Sequence, residues 1–273
     1  MSLQIASINS GSNGNCYYVG NDTDAVLVDV GLSCREVEKR MKQIGLDIKK
    51  LKAIFISHEH GDHIKGVANL AHKHHLPIYI TQPTAKNIQL IRHLSRYFTT
   101  SETITIGSLV VKPFLKHHDA ADPHSFTITY NNISVGVYTD IGTVCDNLIE
   151  HFKQCNAAFL EANYDDDMLE NGSYPWHLKE RIRGSVGHLS NKQALNLFVQ
   201  HRSSNLSHLI LSHLSKENNT PQLAKDLFEA HSTHTQICIA DRYSAGEVFT
   251  IGANQTPTAT KNIVSKPRQM ALF

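Results

Sequence analysis

The sequence lacks the marks of a secreted or membrane-embedded protein. Its five cysteines are odd in number and include no CxxC pair, so we expect reduced thiols in a reducing compartment. No stretch approaches the roughly 18 apolar residues that a transmembrane helix requires. The opening "MSLQIASINS" has no basic segment followed by an apolar run. We therefore expect a cytoplasmic protein.

An excess of charge is also missing. The chain has 26 Lys and Arg against 25 Asp and Glu, a net charge of +1, so any contact with nucleic acid would need a local basic patch. Histidine is the abundant residue instead, with 18 copies. Metal ions would use a small number of these, so their positions along the chain must separate ligands from the rest.

The order of strand and helix patterns predicts the fold class. Strands alternate with helices in both halves of the 273-residue chain, and no linker separates the halves. This order favours one two-sheet α/β sandwich over residues 1–252. Residues 253–273 are polar and contain two prolines, which predicts a flexible tail.

Helix boundaries follow from capping residues and apolar spacing. Ser33 with Glu36, and Ser190 with Gln193, each predict a capping box at the start of a helix. Apolar spacing predicts a further helix over Thr84–Leu94.

The segment "SHEHGDH" at 57–63 is the strongest chemical signal. It follows the continuous apolar strand "AIFIS" and carries four ligand-type side chains, His58, His60, Asp62 and His63. A glycine-containing loop after a strand lets the first two face one ion and the last two face another. Imidazole and carboxylate suit zinc or manganese, and iron is also possible. The alternative, a polar loop with exposed histidines, does not account for this order after a buried strand.

The HxHxDH pattern resembles that of the metallo-β-lactamase superfamily. The resemblance implies an αββα four-layer sandwich with two divalent metal ions. It also implies a histidine in "FLKHHDAADP", where His118 fits better and His117 remains possible, a bridging Asp140 in "VYTDIG", and a last ligand, His213, in "LILSHLS". One ion would then be bound by His58, His60 and His118, and the other by Asp62, His63 and His213.

Five further segments look like the WalJ (YycJ) family of bacterial nucleases, which is related to the tRNA 3′-processing nucleases. They are "GSNGNCYYV", "LVDVGLSCREVEKRM", "HDAADPHSFTI", "YTDIG" and "LSHLSKENN". The resemblance implies a 5′-to-3′ exodeoxyribonuclease on double-stranded DNA, active in replication or repair. Because fold does not settle function, two alternatives stay open. These are a hydrolase of small esters, lactones or thiolesters, and an RNA-processing nuclease.

The tRNA-processing relatives pair a strand-end glutamate with a histidine in a "GHS"- or "GHL"-like turn. Here "FLEANYD" supplies Glu161 and "VGHLS" supplies His188. The helix start after His188 disfavours a protonated ring, whereas a hydrogen bond to Glu161 would favour and orient it. We therefore expect His188 to be the general acid and Asp62 also to orient the nucleophile. The alternative is a turn histidine bonded to backbone.

Contacts with the substrate are predicted from weaker signals. The "SGSNGN" loop could approach a phosphate or form a plain turn. The segment "YPWHLKERIRGS" could stack a base and grip phosphates, or be a solvated helix face. The candidate substrate contacts are Ser12, Asn15, Trp176, Arg181, Arg183, Lys216 and Asn218.

The chain ends in "QMALF", residues 269–273, which resembles the sliding-clamp-binding peptide of bacterial DNA enzymes. Leu272 and Phe273 would fill a pocket of the clamp while Gln269 hydrogen-bonds. The alternative is a terminus that folds back on its own domain.

Overall fold

The computed structural model describes residues 1–100 and 102–252. Within them lie two seven-stranded mixed sheets. In spatial order, sheet 1 consists of β14 (Phe249–Gly252), β1 (Ser2–Asn9), β2 (Cys16–Gly20), β3 (Ala25–Val28), β4 (Leu51–Phe55), β5 (Ile78–Ile80) and β6 (Ser95–Tyr97). Sheet 2 consists of β13 (Gln236–Ile239), β12 (His208–Ser212), β11 (Ala157–Glu161), β10 (Ile133–Tyr138), β9 (His124–Tyr130), β8 (Leu109–Leu115) and β7 (Ile104–Ile106).

Helices cover the outer faces of both sheets. The described helices are α1 (Cys34–Gln43), α2 (Gly61–Ile64), α3 (Val67–His74), α4 (Gln82–Ala85), α5 (Asp146–Phe152), α6 (Asp166–Asn171), α7 (Trp176–Arg183), α8 (Asn191–His201) and α9 (Pro221–Glu229). α1 and α3 pack on sheet 1, and α5, α8 and α9 pack on sheet 2. The predicted αββα sandwich is confirmed. None of the described helices is long and apolar enough to cross a membrane.

Three apolar layers hold the sandwich together. Along β1, Leu3 and Ile5 face the core between the sheets, whereas Ala6 and Ile8 face the helices. Because both faces of the central strands are covered, these strands are apolar almost throughout, as expected for buried parallel strands.

The parallel strands end at one common edge of the sandwich. β3 runs parallel to β4, and β10, β11 and β12 are parallel neighbours. Three residues that follow these strands have positive φ, namely Asp29 (60°), Asp140 (56°) and His213 (55°). This conformation is costly for side chains other than glycine, so the loops at this edge depend on contacts that hold them.

The predicted helix over Thr84–Leu94 is wrong. α4 ends at Ala85, and a single 3-10 turn covers Arg92–Leu94. Ile88 and Leu90 instead pack on the core of sheet 1 from an irregular segment. Apolar spacing alone therefore does not distinguish a helix from an extended segment that lies over the same core.

Only one of the two predicted capping boxes forms. At α8 the Ser190 side chain accepts the Gln193 N–H, and the Gln193 side chain accepts the Ser190 N–H. At α1 Ser33 caps the helix, but the Glu36 side chain accepts from Nε of Arg40 at 2.9 Å. Because the Glu36 side chain pairs with Arg40 one turn further along the helix, it does not return to the backbone of Ser33.

Candidate metal centre

Three histidines from two loops converge at the edge where the parallel strands end. The ligand atoms of His58, His60 and His118 lie within 4.8 Å of one another, and His58 Nε2 is 3.1 Å from His60 Nδ1. His118 is buried, and its Nδ1 lies 3.1 Å from the Gly187 carbonyl oxygen. His117 is exposed. Of the two predicted alternatives, the structure brings His118 to this group.

A second group forms beside the first. Asp62, His63 and His213 also present ligand atoms within 4.8 Å of one another. Asp140 lies between the groups, because its Oδ2 is 3.3 Å from His63 Nε2 and its Oδ1 is 3.9 Å from His118 Nε2. The seven predicted ligands are thus adjacent, with the predicted bridging carboxylate in the middle.

The donor atoms of the two groups fit two divalent cations. His118 Nε2, Asp140 Oδ2 and His213 Nε2 are buried and have no hydrogen-bond partner among the residues that the structure describes. Such atoms are costly inside a protein, and a cation in each group would satisfy all three. Imidazole with carboxylate is a donor set for zinc or manganese.

Two side chains behind the ligands orient their rings. Asp29 Oδ2 lies 2.7 Å from His63 Nδ1, and Ser57 Oγ lies 2.8 Å from His58 Nδ1. Asp29 also accepts hydrogen bonds from the Ser57 backbone and hydroxyl. These contacts direct the Nε2 atoms into the centre. Sequence reasoning missed both residues, although Asp29 directly follows an apolar strand and offered a signal.

Glu161 connects the centre to His188. Its Oε1 lies 2.9 Å from His188 Nδ1 and 2.8 Å from His213 Nδ1. Its Oε2 accepts the backbone N–H groups of Ile141 and Leu189. Burial would raise the pKa of Glu161, but His188 and the hydrogen bonds outweigh burial and lower the pKa to about 2. The predicted contact with His188 is present, and the contact with His213 adds a role that the sequence did not indicate.

His188 stands at the border of the centre. Its ring centroid is 5.4 Å from that of His118 and 5.2 Å from that of His213, and 21% of its side chain is exposed. It forms a compact group with Asp140, Glu161 and His213. Because its Nδ1 and both Glu161 oxygens are already hydrogen-bonded, this group is less suited to a cation than the other two.

The carboxylates give the centre a negative electrostatic potential. Burial would lower the pKa of His213, but the neighbouring carboxylates of Asp140, Asp62 and Glu161 raise it to about 10. Lys116 is buried nearby and donates to the Thr139 carbonyl at 2.6 Å, and burial lowers its pKa. A field of this sign is complementary to divalent cations.

The predicted contacts in the "SGSNGN" loop have different positions. Asn15 is buried, and its Nδ2 lies 3.2 Å from Asp62 Oδ2 and 3.1 Å from His63 Nε2. It therefore positions the candidate ligands. Ser12 is exposed, and its Oγ accepts from Arg242 Nη1 at 3.1 Å.

The cations predicted on α7 are largely paired. Arg181 bonds Asp119, with Nη2 and Oδ2 2.6 Å apart, and Arg183 pairs with Glu170 at 2.8 Å. Trp176 at the start of the helix is 74% exposed. This face therefore offers an aromatic ring for contact but less unpaired charge than the sequence indicates.

The two remaining predicted substrate contacts, Lys216 and Asn218, differ in their exposure to solvent. Lys216 is exposed, whereas Asn218 is 1% exposed. Because the Asn218 side chain is buried, it is less accessible to a substrate than Lys216 is.

The fold agrees with comparisons to known proteins. A family model described as the metallo-beta-lactamase superfamily matches residues 10–150. The crystal structure of YhfI from Bacillus subtilis has a TM-score of 0.71 at 17% identity, over 92% of this chain and 100% of that one. At that identity the likeness shows the fold alone.

Two relatives narrow the assignment. Exodeoxyribonuclease YycJ of Bacillus anthracis is 35% identical over 266 residues, which are 96% of this chain and 98% of that protein. Exodeoxyribonuclease WalJ of Streptococcus pneumoniae (strain D39) is 33% identical over 79% of this chain and 82% of that protein. The chain belongs to the metallo-β-lactamase superfamily and, within it, to the YycJ and WalJ family. It is a metal-dependent hydrolase.

Proposed function

We propose that the protein is a two-metal phosphodiester hydrolase that acts on double-stranded DNA as a 5′-to-3′ exodeoxyribonuclease. The observation that carries the proposal is the Glu161–His188 pair beside two adjacent groups of metal-ligand side chains. This arrangement supplies a positioned proton donor next to sites for two cations. The YycJ relative is named an exodeoxyribonuclease and is 35% identical over 96% of this chain, which supports DNA as the substrate class.

Seven residues of the centre are suited to bind two cations, and other side chains are suited to proton transfer. We assign one cation, zinc or manganese with iron also compatible, to His58, His60 and His118, a second to Asp62, His63 and His213, and Asp140 to both. When bound, the two ions would supply water activation and stabilisation of charge on phosphate oxygens.

Asp62 is suited to orient the attacking water. Its side chain is 24% exposed, whereas that of Asp140 is 3% exposed. Asn15 donates to Asp62 Oδ2, which fixes the carboxylate. Asp62 is therefore the carboxylate of the centre that can accept a hydrogen bond from a water molecule in the cleft.

His188 is suited to protonate the leaving group. Glu161 accepts from Nδ1, so Nε2 is the atom that can donate to a ligand. The water oxygen bonds to phosphorus and releases one proton to the solvent. As the P–O3′ bond breaks, the Nε2 proton moves to the departing 3′ oxygen. The products are a 3′ hydroxyl and a 5′-phosphate.

End-labelled substrates test the proposal. Protein loaded with zinc or manganese is incubated with duplexes labelled at either the 5′ or the 3′ end, with a matched RNA, and with p-nitrophenyl esters. We expect early release of the 5′ label as a mononucleotide. Faster turnover of RNA would favour the RNA-processing alternative, and hydrolysis of the esters without any nucleic acid would favour the small-molecule alternative.

The clamp-binding peptide remains a separate proposal. Gln269, Leu272 and Phe273 lie outside the described residues, as does the whole predicted tail 253–273. Its support is the sequence "QMALF", and its effect would be to raise the local concentration of enzyme at replicating or repaired DNA. A titration of purified bacterial sliding clamp with the full chain and with a chain lacking 269–273 tests it, and equal affinity would reject it.

A further inference from the structure

A second concave site lies next to the metal centre. A cavity of about 340 Å³ opens between the loop after β12, the loop after β13 and the start of α9. Leu214, Ile239 and Ala240 form its apolar floor, and Lys216, Arg242 and Tyr243 also line it. Its size is that of a small-ligand site.

The cavity shares its wall with the metal centre. Ser10 lines the cavity, and its Oγ accepts the backbone N–H of His213 at 2.7 Å. The carbonyl oxygen of Leu214, the next residue, accepts a hydrogen bond from Arg242 Nη2 at 2.7 Å. A ligand in the cavity would therefore lie beside a residue assigned to bind a cation.

The charge of Arg242 is available to an anion. Its guanidinium donates to oxygens of neutral groups, namely the Leu214 carbonyl, the Ser12 hydroxyl and the Asn13 amide. Across residues 1–100 and 102–252, no carboxylate forms an ion pair with it. Lys216 adds a second cation whose contact with Glu217 is long, at 3.5 Å, and exposed, so this contact is weak.

The Asp241 carboxylate also lines the cavity but is committed to the turn. Its Oδ1 accepts the backbone N–H groups of Tyr243 and Ser244. These bonds fold the segment so that Tyr243, whose side chain is 67% exposed, stands at the cavity.

We propose that this cavity binds the terminal nucleoside of the strand being cut. The base would lie on the floor of Leu214, Ile239 and Ala240 and stack on Tyr243, while Arg242 and Lys216 contact a phosphate. An aromatic ring beside cations suits every base, because each has a π-face, and a non-specific exonuclease needs this tolerance. The inference rests on the proposed function, since it names the part of the substrate that this wall of the site binds.

Binding of a mononucleotide tests the cavity without turnover. The metal-loaded protein is titrated with deoxyadenosine 5′-monophosphate and, separately, with inorganic phosphate. We expect the nucleotide to bind at least tenfold more tightly, because stacking of one base is worth about that factor. Tyr243→Ala, and Ala240→Leu, which fills the floor, should each remove most of this preference, and Tyr243→Phe should retain it.

Tyr97→Ala is the matched control. Tyr97 is also exposed, at 57%. It lies on β6, which is an edge strand of sheet 1 and is four strands away from β2. It should keep the preference for the nucleotide and the KM for DNA, whereas Tyr243→Ala should raise that KM about tenfold.

The outcomes separate the two proposals. Equal affinity for nucleotide and phosphate, or a preference that survives both Tyr243→Ala and Ala240→Leu, overturns the cavity assignment even if DNA is degraded. A preference that depends on Tyr243 in a protein that cleaves no phosphodiester supports the cavity as a nucleotide site and rejects the proposed nuclease.

Discussion

Glu161 couples two histidines with different tasks. The same Oε1 atom lies within 2.9 Å of Nδ1 of His188 and of His213, while the other oxygen is held by backbone N–H groups. One carboxylate therefore fixes the orientation of a proposed metal ligand and of a proposed acid. The sequences "SVGHLS" and "LSHLS" look alike, but His213 presents Nε2 to Asp62 and His188 presents it to the cleft.

Replacing His188 with alanine separates proton donation from metal binding. We expect His188→Ala to lower kcat about 10²- to 10⁴-fold, the usual contribution of a positioned acid. Metal content by elemental analysis should stay the same, since the seven proposed ligands are intact. His231→Ala removes an exposed histidine that follows α9 and contacts the Leu227 carbonyl, and it should leave both quantities unchanged. Full turnover of His188→Ala at every pH would make His188 a structural residue.

Asp29 lies behind the ligands and is expected to act through His63. Asp29→Asn keeps the shape of the side chain, and asparagine tolerates the left-handed backbone that this position requires. The variant loses the negative charge 2.7 Å from His63 Nδ1, so metal affinity should fall about 10- to 100-fold.

A chelator competition at fixed pH measures the effect of Asp29→Asn. Asp22→Asn, an exposed change in the β2–β3 turn, provides the matched control and should match the wild type. If the two variants bind metal equally well, the contact between Asp29 and His63 does not tune the centre.

At the scale of elements, the start of α8 supports the loop that carries His188. Ser190→Ala removes one bond of the capping box and should lower the free energy of unfolding by about 1 kcal/mol. Ser33→Ala at α1 removes a bond of similar length, 3.3 Å against 3.2 Å, but this bond is exposed, so its effect should be smaller. Urea unfolding of both variants gives the comparison, and a larger loss for Ser33→Ala would contradict it.

The site residues that the sequence predicted correctly lie mostly at the ends of strands. His58, Asp140, Glu161 and His213 each lie at or just after an apolar run, and parallel strands bring such ends to one edge. The roles of Asp29 and Ser57 depend on contacts between neighbouring strands, which a single sequence does not display. The arrangement of residues 86–94 was missed for a related reason, since packing on sheet 1 decided it.

At the scale of the whole molecule, His208 links the two sheets at the end opposite the metal centre. It begins β12, five residues before His213, which is about 16 Å of strand. Its ring packs on Phe249 of the other sheet at 5.1 Å, and burial lowers the pKa of His208 to about 4. The folded protein therefore keeps this ring neutral under conditions in which the unfolded chain protonates it.

The lowered pKa of His208 makes the folded protein less stable at acidic pH. Between the ordinary histidine pKa of about 6.5 and the folded value of about 4, the unfolded state binds the additional proton, so stability falls as pH falls through this range. Above pH 6.5 the contribution is fully present. We expect the free energy of unfolding to drop by about 1 kcal/mol from pH 6 to pH 5 on account of this group.

A variant isolates the contribution of His208 from the other histidines. His208→Gln removes the titrating ring, so its free energy of unfolding should depend less steeply on pH than that of the wild type between pH 6 and pH 5. His234→Gln, an exposed change before β13, should retain the wild-type slope. Because the comparison is between slopes at the same metal concentration, protonation of the metal centre affects each protein equally. Identical slopes for wild type and His208→Gln would mean that the ring is protonated in the folded state and that the contact with Phe249 tolerates the charge.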